Sequence, residues 1–93
     1  MPRRAARIDD NQTEIVAALR RVGCTVRITA QLGDGFPDLL VRPRGPMASL
    51  IQMETKRRKG KLTPAQVKYF SEFPETIKVE TVEEALRAVG VRT

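Results

Sequence analysis

The spacing of apolar residues changes abruptly at Gly23, and that change limits what the chain can fold into more than any other feature. Before it, Ile15, Ala18, Leu19 and Val22 recur at the interval of one helical face, and Gly23 stands where a left-handed C-terminal cap is wanted. The spacing predicts a helix over about 10–22. Directly after it, Cys24, Val26 and Ile28 alternate with Thr25, Arg27 and Thr29, the pattern of a half-buried strand. A helical stripe that runs straight into an alternating segment calls for a sheet with a helix laid on it.

The rest of the chain continues in the same manner. Residues 31–35 read as a loop, Asp38 to Val41 as a short apolar strand, and Pro43 to Pro46, with Gly45 between, as a turn. Leu50 to Lys56 is again strand-like, so the two segments form a hairpin. Thr63-Pro64-Ala65-Gln66 combines an N-cap, a proline at the first helical position and a capping-box glutamine. This second helix should end near Ser71 or Glu72, before Pro74. Ile77 to Val79 is a short strand, and Thr81 to Glu84 repeats the capping-box signature ahead of a stripe of Val82, Ala85, Leu86 and Val89 that stops at Gly90. The order αβββαβα fits an α/β fold with a mixed β-sheet flanked by helices. Residues 1–8 are basic and unpatterned and read as a flexible arm, leaving 9–93 as one domain.

Composition narrows the chemistry. Seventeen Lys and Arg stand against 11 Asp and Glu, a net charge of +6 in 93 residues. The excess is concentrated at Arg3, Arg4 and Arg7, at Arg20 and Arg21, and most densely at Lys56, Arg57, Arg58, Lys59 and Lys61, whereas Glu72 to Glu84 is acidic. Such a patch attracts phosphate backbones, and it equally serves as a solvated surface. With one cysteine and no histidine, an internal disulfide, the usual zinc sites and His-dependent nucleophilic catalysis are excluded. No apolar run is long enough to span a bilayer or to act as a signal peptide, so a reducing cytoplasm is expected.

One constellation can carry catalysis. Along Leu50 to Lys56 the side chains alternate, so Leu50, Gln52, Glu54 and Lys56 share one face and Ile51, Met53 and Thr55 the other. Glu54 and Lys56 then lie roughly 6.5 to 7 Å apart along the strand, which lets a carboxylate hold a metal while an ammonium reaches water or phosphate. Hairpin pairing would bring Asp38, after Gly35-Phe36-Pro37, beside Glu54. Mg²⁺ is commonly bound by one or two carboxylates with phosphate and water, and the Thr55 carbonyl offers a further oxygen. Each piece also has a plain structural use. Glu-x-Lys on a strand is often a surface ion pair, Pro-Asp a turn, and Gln66 half of a capping box; Glu14, three residues after Asn11, can complete a helix cap.

The ordered set of Glu14 on the first helix, Gly35-Phe36-Pro37-Asp38, Glu54-Thr55-Lys56 and Gln66 on the following helix resembles the virus-type replication and repair nuclease (VRR-NUC) family of the PD-(D/E)xK nuclease group. The likeness runs over about residues 9 to 89. It implies a restriction-endonuclease-like core in which Asp38 and Glu54 ligate Mg²⁺, for which Mn²⁺ substitutes. Lys56 would orient or activate the attacking water. The Thr55 carbonyl and Glu14 would be further metal contacts, and Gln66 would support the site or touch phosphate. An apolar residue is more common in the family at the position of Thr55.

The resemblance further implies a DNA endonuclease, acting on branched DNA such as a Holliday junction as a homodimer, in a bacterial or phage-infected cytoplasm. Arg57, Arg58, Lys59 and Lys61 are the candidates for holding the DNA backbone. Two other readings compete: a basic nucleic-acid-binding module without catalysis, and an accessory protein whose acidic Glu72 to Glu84 segment meets a partner.

Overall fold

The computed structural model describes residues 10–91, so the basic arm expected over 1–8 lies outside the described residues. Helix α1 spans Asp10–Arg21, strand β1 Thr25–Ile28, β2 Leu39–Arg42, β3 Ile51–Thr55, helix α2 Pro64–Glu72, strand β4 Ile77–Val79 and helix α3 Val82–Ala88. A short 3₁₀ turn, Ala30–Leu32, interrupts the loop between β1 and β2. The chain is a mixed α/β fold whose four strands lie in the order β1-β2-β3-β4. The first two pairings are antiparallel and the last is parallel. The parallel step follows from α2, since two parallel neighbours need a crossover rather than a hairpin.

Helix ends form where the caps place them. At the end of α1, Gly23 adopts φ +96° and the Cys24 N–H donates to the Leu19 carbonyl at 3.0 Å, while the Gly23 N–H donates to Arg20 at 3.0 Å. This doubly bonded ending needs the left-handed conformation that glycine adopts without cost. At α2 both halves of the capping box are made, Thr63 Oγ1 accepting from the Gln66 N–H and Gln66 Oε1 from the Thr63 N–H. At α3 only half of the expected box forms. Thr81 Oγ1 accepts from the Glu84 N–H, but Glu84 Oε1 reaches past Thr81 to the Glu80 N–H at 2.6 Å. Asn11 is no cap either. It lies inside α1 and its Nδ2 donates to the Lys56 carbonyl at 2.7 Å and the Glu80 carbonyl at 3.3 Å, tying the helix to the ends of β3 and β4.

The core occupies one face of the sheet. Ile15, Val16 and Leu19 of α1 and Ala85 of α3 pack against Val26, Leu39, Val41, Met53 and Val79, all buried. Registers Val26↔Val41, Leu39↔Met53 and Thr55↔Val79 put these strand residues on a common side. Ile51 and Met53 therefore face the core, and Gln52 and Glu54 face away. Helix α2 lies over that second face, reaching it through Gln66 and Tyr69, and has no buried residue of its own. On this side the sheet also carries Arg27 and Arg42, both exposed, and the half-buried Leu40. Among the described residues no helix is long and apolar enough to cross a membrane.

Candidate active site

The register of the β2–β3 hairpin builds the site. With Leu39 opposite Met53, Asp38, the residue before β2, comes level with Glu54, and its carboxyl stands beside that of Glu54. Glu54 is 1% exposed. Burial, and then the charge of Asp38 beside it, raise its pKa to about 7, against a smaller opposing pull from Lys56. Two carboxyls brought this close in a desolvated place are unfavourable unless a proton or a cation joins them.

The partners of Glu54 divide its two oxygens. Oε2 accepts from Gln66 Nε2 at 2.8 Å and lies 3.7 Å from Lys56 Nζ. Oε1 is buried and makes no hydrogen bond of good geometry, with the carboxyl and backbone N–H of Asp38 beside the group. An orphaned carboxylate oxygen in such a position is costly, and it is the atom a cation would relieve. Lys56 is half-buried, with its side chain 18% exposed, so its ammonium is held at the site while still reaching solvent.

Asp38 is fixed from β3. Its Oδ2 accepts from the Thr55 N–H at 3.1 Å and from the Thr55 hydroxyl at 2.8 Å. That hydroxyl also stands 3.1 Å from the amide of Gln12, which is buried. The N–H and C=O of one strand residue point to the same side, and the Thr55 N–H points toward Asp38 and away from β4. Its carbonyl is thus turned to the same side of β3 as Asp38. Two carboxylates and one carbonyl suit Mg²⁺, which accepts few protein oxygens and keeps water or phosphate in its remaining positions.

Glu14 is not brought to this group. It is exposed on α1, and among the described residues no three His, Cys, Asp or Glu side chains converge as a metal cluster. Gln66, for which a cap and a site role are rival uses, serves both: Oε1 closes the capping box while Nε2 holds Glu54. The basic run leaves β3 in a tight turn closed by the Gly60 N–H on the Arg57 carbonyl at 2.7 Å, with Lys59 at φ +63°. Arg57, Arg58, Lys59 and Lys61 are exposed just beyond β3, following Lys56.

Three features were not read from the sequence. Gln12 supports Thr55 from beneath, and its signal was a polar residue on the stripe of Ile15, Val16 and Leu19. Tyr69 donates its hydroxyl to Gln52, which steadies α2 over the sheet, and its ring packs against Phe36 at 5.3 Å and Phe73 at 4.7 Å. Arg27 and Arg42 lie on the Glu54 face, because Arg27 pairs with Leu40 and Leu40 with Gln52. Strand alternation combined with a correct register would have found them.

Much of the acidic segment is engaged locally. Glu72 pairs with Lys68 at 3.0 Å, Glu80 with Lys78 at 3.4 Å, and Glu84 caps the Glu80 N–H. This leaves less of it to form a partner surface. Comparison of the chain with protein-family models, with curated proteins and with solved structures finds no match, so the functional reading rests on the site itself.

Proposed function

We propose that this chain is a Mg²⁺-dependent endonuclease with a restriction-endonuclease-like core, hydrolysing phosphodiester bonds in DNA at the Asp38–Glu54–Lys56 site. The observation that carries this reading is a buried glutamate beside a second carboxyl, with one oxygen tied down and the other, Oε1, without a hydrogen bond. A surface ion pair of the Glu-x-Lys kind needs neither the burial nor the neighbouring acid.

Asp38, Glu54 and the Thr55 carbonyl would hold the ion, with Mn²⁺ able to replace Mg²⁺. When bound, the ion would supply Lewis-acid polarisation of a phosphoryl oxygen and acidify water. Gln66 and Lys56 both engage Oε2, which turns Oε1 toward the space beside Asp38. Thr55 holds the Asp38 carboxyl at the same place. Lys56 stands where its ammonium can hold the attacking water or offset the charge that grows on phosphate in the transition state. The water oxygen bonds to phosphorus, the bond to one sugar oxygen breaks, and a phosphate monoester and a free hydroxyl result. Arg57, Arg58, Lys59 and Lys61, with Arg27 and Arg42 across the open sheet face, would grip the backbone without reading bases.

Among the described residues there is one such centre, so cutting both strands of a branched substrate would require two copies related by a dyad. The test is a cleavage panel on junction, flap, nicked and linear duplex DNA with and without Mg²⁺. Asp38→Ala, Glu54→Ala and Lys56→Ala are each expected to lower the rate at least a hundredfold while keeping the circular dichroism of the fold. Wild-type activity in all three would remove this site from consideration. DNA binding with no cleavage on any substrate would instead leave a basic binding module.

A further inference from the structure

A cleft of about 360 Å³ opens between the 32–36 loop and α2. Leu32 and the rings of Phe36 and Tyr69 form its apolar walls, and Asp34, Lys68 and Glu72 its polar rim. The loop's conformation is imposed by close approach to α2. Gly35 has φ +79°, and a Cβ there would fall 2.3 Å from the Ala65 carbonyl oxygen, so the loop lies against the helix at a distance only glycine permits. Asp34 is also left-handed at φ +57°, a conformation aspartate tolerates better than most residues.

We propose that this cleft is a pocket for an unpaired nucleobase next to the scissile phosphate, an inference that rests on the nuclease reading for its substrate. Its volume lies at the small end of ligand pockets and suits one ring system. Its walls offer aromatic and aliphatic surface against which any base can stack. Its charge selects the base over the backbone: the rim has two carboxylates and one ammonium, and the ammonium is already paired with Glu72 at 3.0 Å. Phosphate is repelled by such a rim. Asp34 is instead placed to accept an N–H from an exocyclic amino group, as carboxylates do with cytosine.

The position ties the pocket to the chemistry. Phe36 lies two residues before Asp38, and Tyr69 lies one helical turn beyond Gln66, which holds Glu54 at 2.8 Å. The Tyr69 hydroxyl is fixed to Gln52, two residues before Glu54 on the same strand. A strand whose phosphate sits at the acids therefore has a neighbouring base within reach of the cleft, provided that base is unpaired, as at a flap, a junction or a frayed end.

The experiment measures, by fluorescence anisotropy without divalent metal, the affinity of the full chain for three single strands of equal length: oligo-dC, oligo-dT and a base-free abasic strand. Oligo-dC is expected to bind about tenfold more tightly than the abasic strand, the size of one stacked base. Phe36→Ala and Leu32→Ser should bring that ratio close to one while leaving affinity for the abasic strand unchanged. Asp34→Asn should narrow the difference between dC and dT. Leu32 is 60% exposed, so its variant folds even where loss of the Phe36 ring does not allow it. A ratio near one in the wild type, no binding to any strand, or a ratio that survives Leu32→Ser would overturn the pocket. Cleavage on the panel above is read separately: activity with no base-dependent binding keeps the nuclease and rejects the pocket, and the reverse result rejects the nuclease alone.

Discussion

At the scale of single residues, Glu54 is where sequence and environment disagree most. Its pKa moves from 4.5 to about 7, and the sign of the consequence follows from proton counting. Between those values the folded chain keeps a proton that the unfolded chain has released, so stability falls as pH rises through this window and is constant above it. The full cost is about 3 kcal/mol for a shift of this size. In metal-free protein, Glu54→Gln should therefore be more stable than wild type at pH 8 and nearly equal to it at pH 5, as read by urea denaturation at the two values. A difference independent of pH would mean that the carboxylate is not strained by burial. Under the proposed function Mg²⁺ favours the ionised form, so it should raise the melting temperature more at pH 8 than at pH 6. Thr55 gives a second test. Its hydroxyl holds Asp38 at 2.8 Å and meets buried Gln12, so Thr55→Val, close in volume, should cost about 1–3 kcal/mol by leaving these groups unsatisfied. Unchanged stability would show that the hydroxyl only fills space.

At the scale of elements, α1 and α2 are held in different ways. Helix α1 sinks Ile15, Val16 and Leu19 into the core, whereas α2 has no buried residue and is fixed by its capping box, by Gln66 on Glu54 and by Tyr69 on Gln52. A helix of this length without a buried face is marginal by itself. Its backbone amides should exchange with solvent faster than those of α1 in a hydrogen-exchange experiment. Thr63→Ala removes one half of the box and should cost about 1 kcal/mol. Because Gln66 is the other half, the same change should loosen the hold on Glu54 and raise α2 exchange further. Equal protection of α1 and α2 would contradict this view. The Thr63 to Gln66 motif thus links a local helix start to the placement of a buried acid on the sheet beneath the helix.

At the scale of the whole molecule, the two faces of the sheet have separate tasks. One is closed by α1 and α3 over aliphatic residues. The other carries Asp38, Glu54 and Lys56 at one end and Arg27 and Arg42 along the open strands. The turn after β3 extends this positive side through Arg58, Lys59 and Lys61. Under the proposed function, binding to DNA should weaken steeply with salt, and Lys61→Ala should reduce the slope of log K against log salt by about 0.9 without altering sequence preference. An unchanged slope would place Lys61 off the path of the backbone. Sedimentation at micromolar concentration tests the proposed dimer.

Much of this was legible before any fold was known. The apolar spacing of Ile15, Leu19 and Val22, the alternation through Val26 and Ile28, and the caps and turns at Gly23, Thr63 and Thr81 marked the α-helices and strands of the described residues within a residue or two, though not the 3₁₀ turn Ala30–Leu32, because such signals are local and act through the backbone near them. The common face of Gln52, Glu54 and Lys56 followed from strand alternation alone. The sequence could not say that Glu54 is buried, that one oxygen of it lacks a partner, or that Glu14 stays exposed and apart. Nor did it show that Gln66 joins a helix cap to Glu54, or that Gly35 lies against Ala65. Those outcomes depend on the register of β2 on β3 and on where α2 rests. They are set by desolvation and packing between segments far apart in the chain, which residue spacing does not encode.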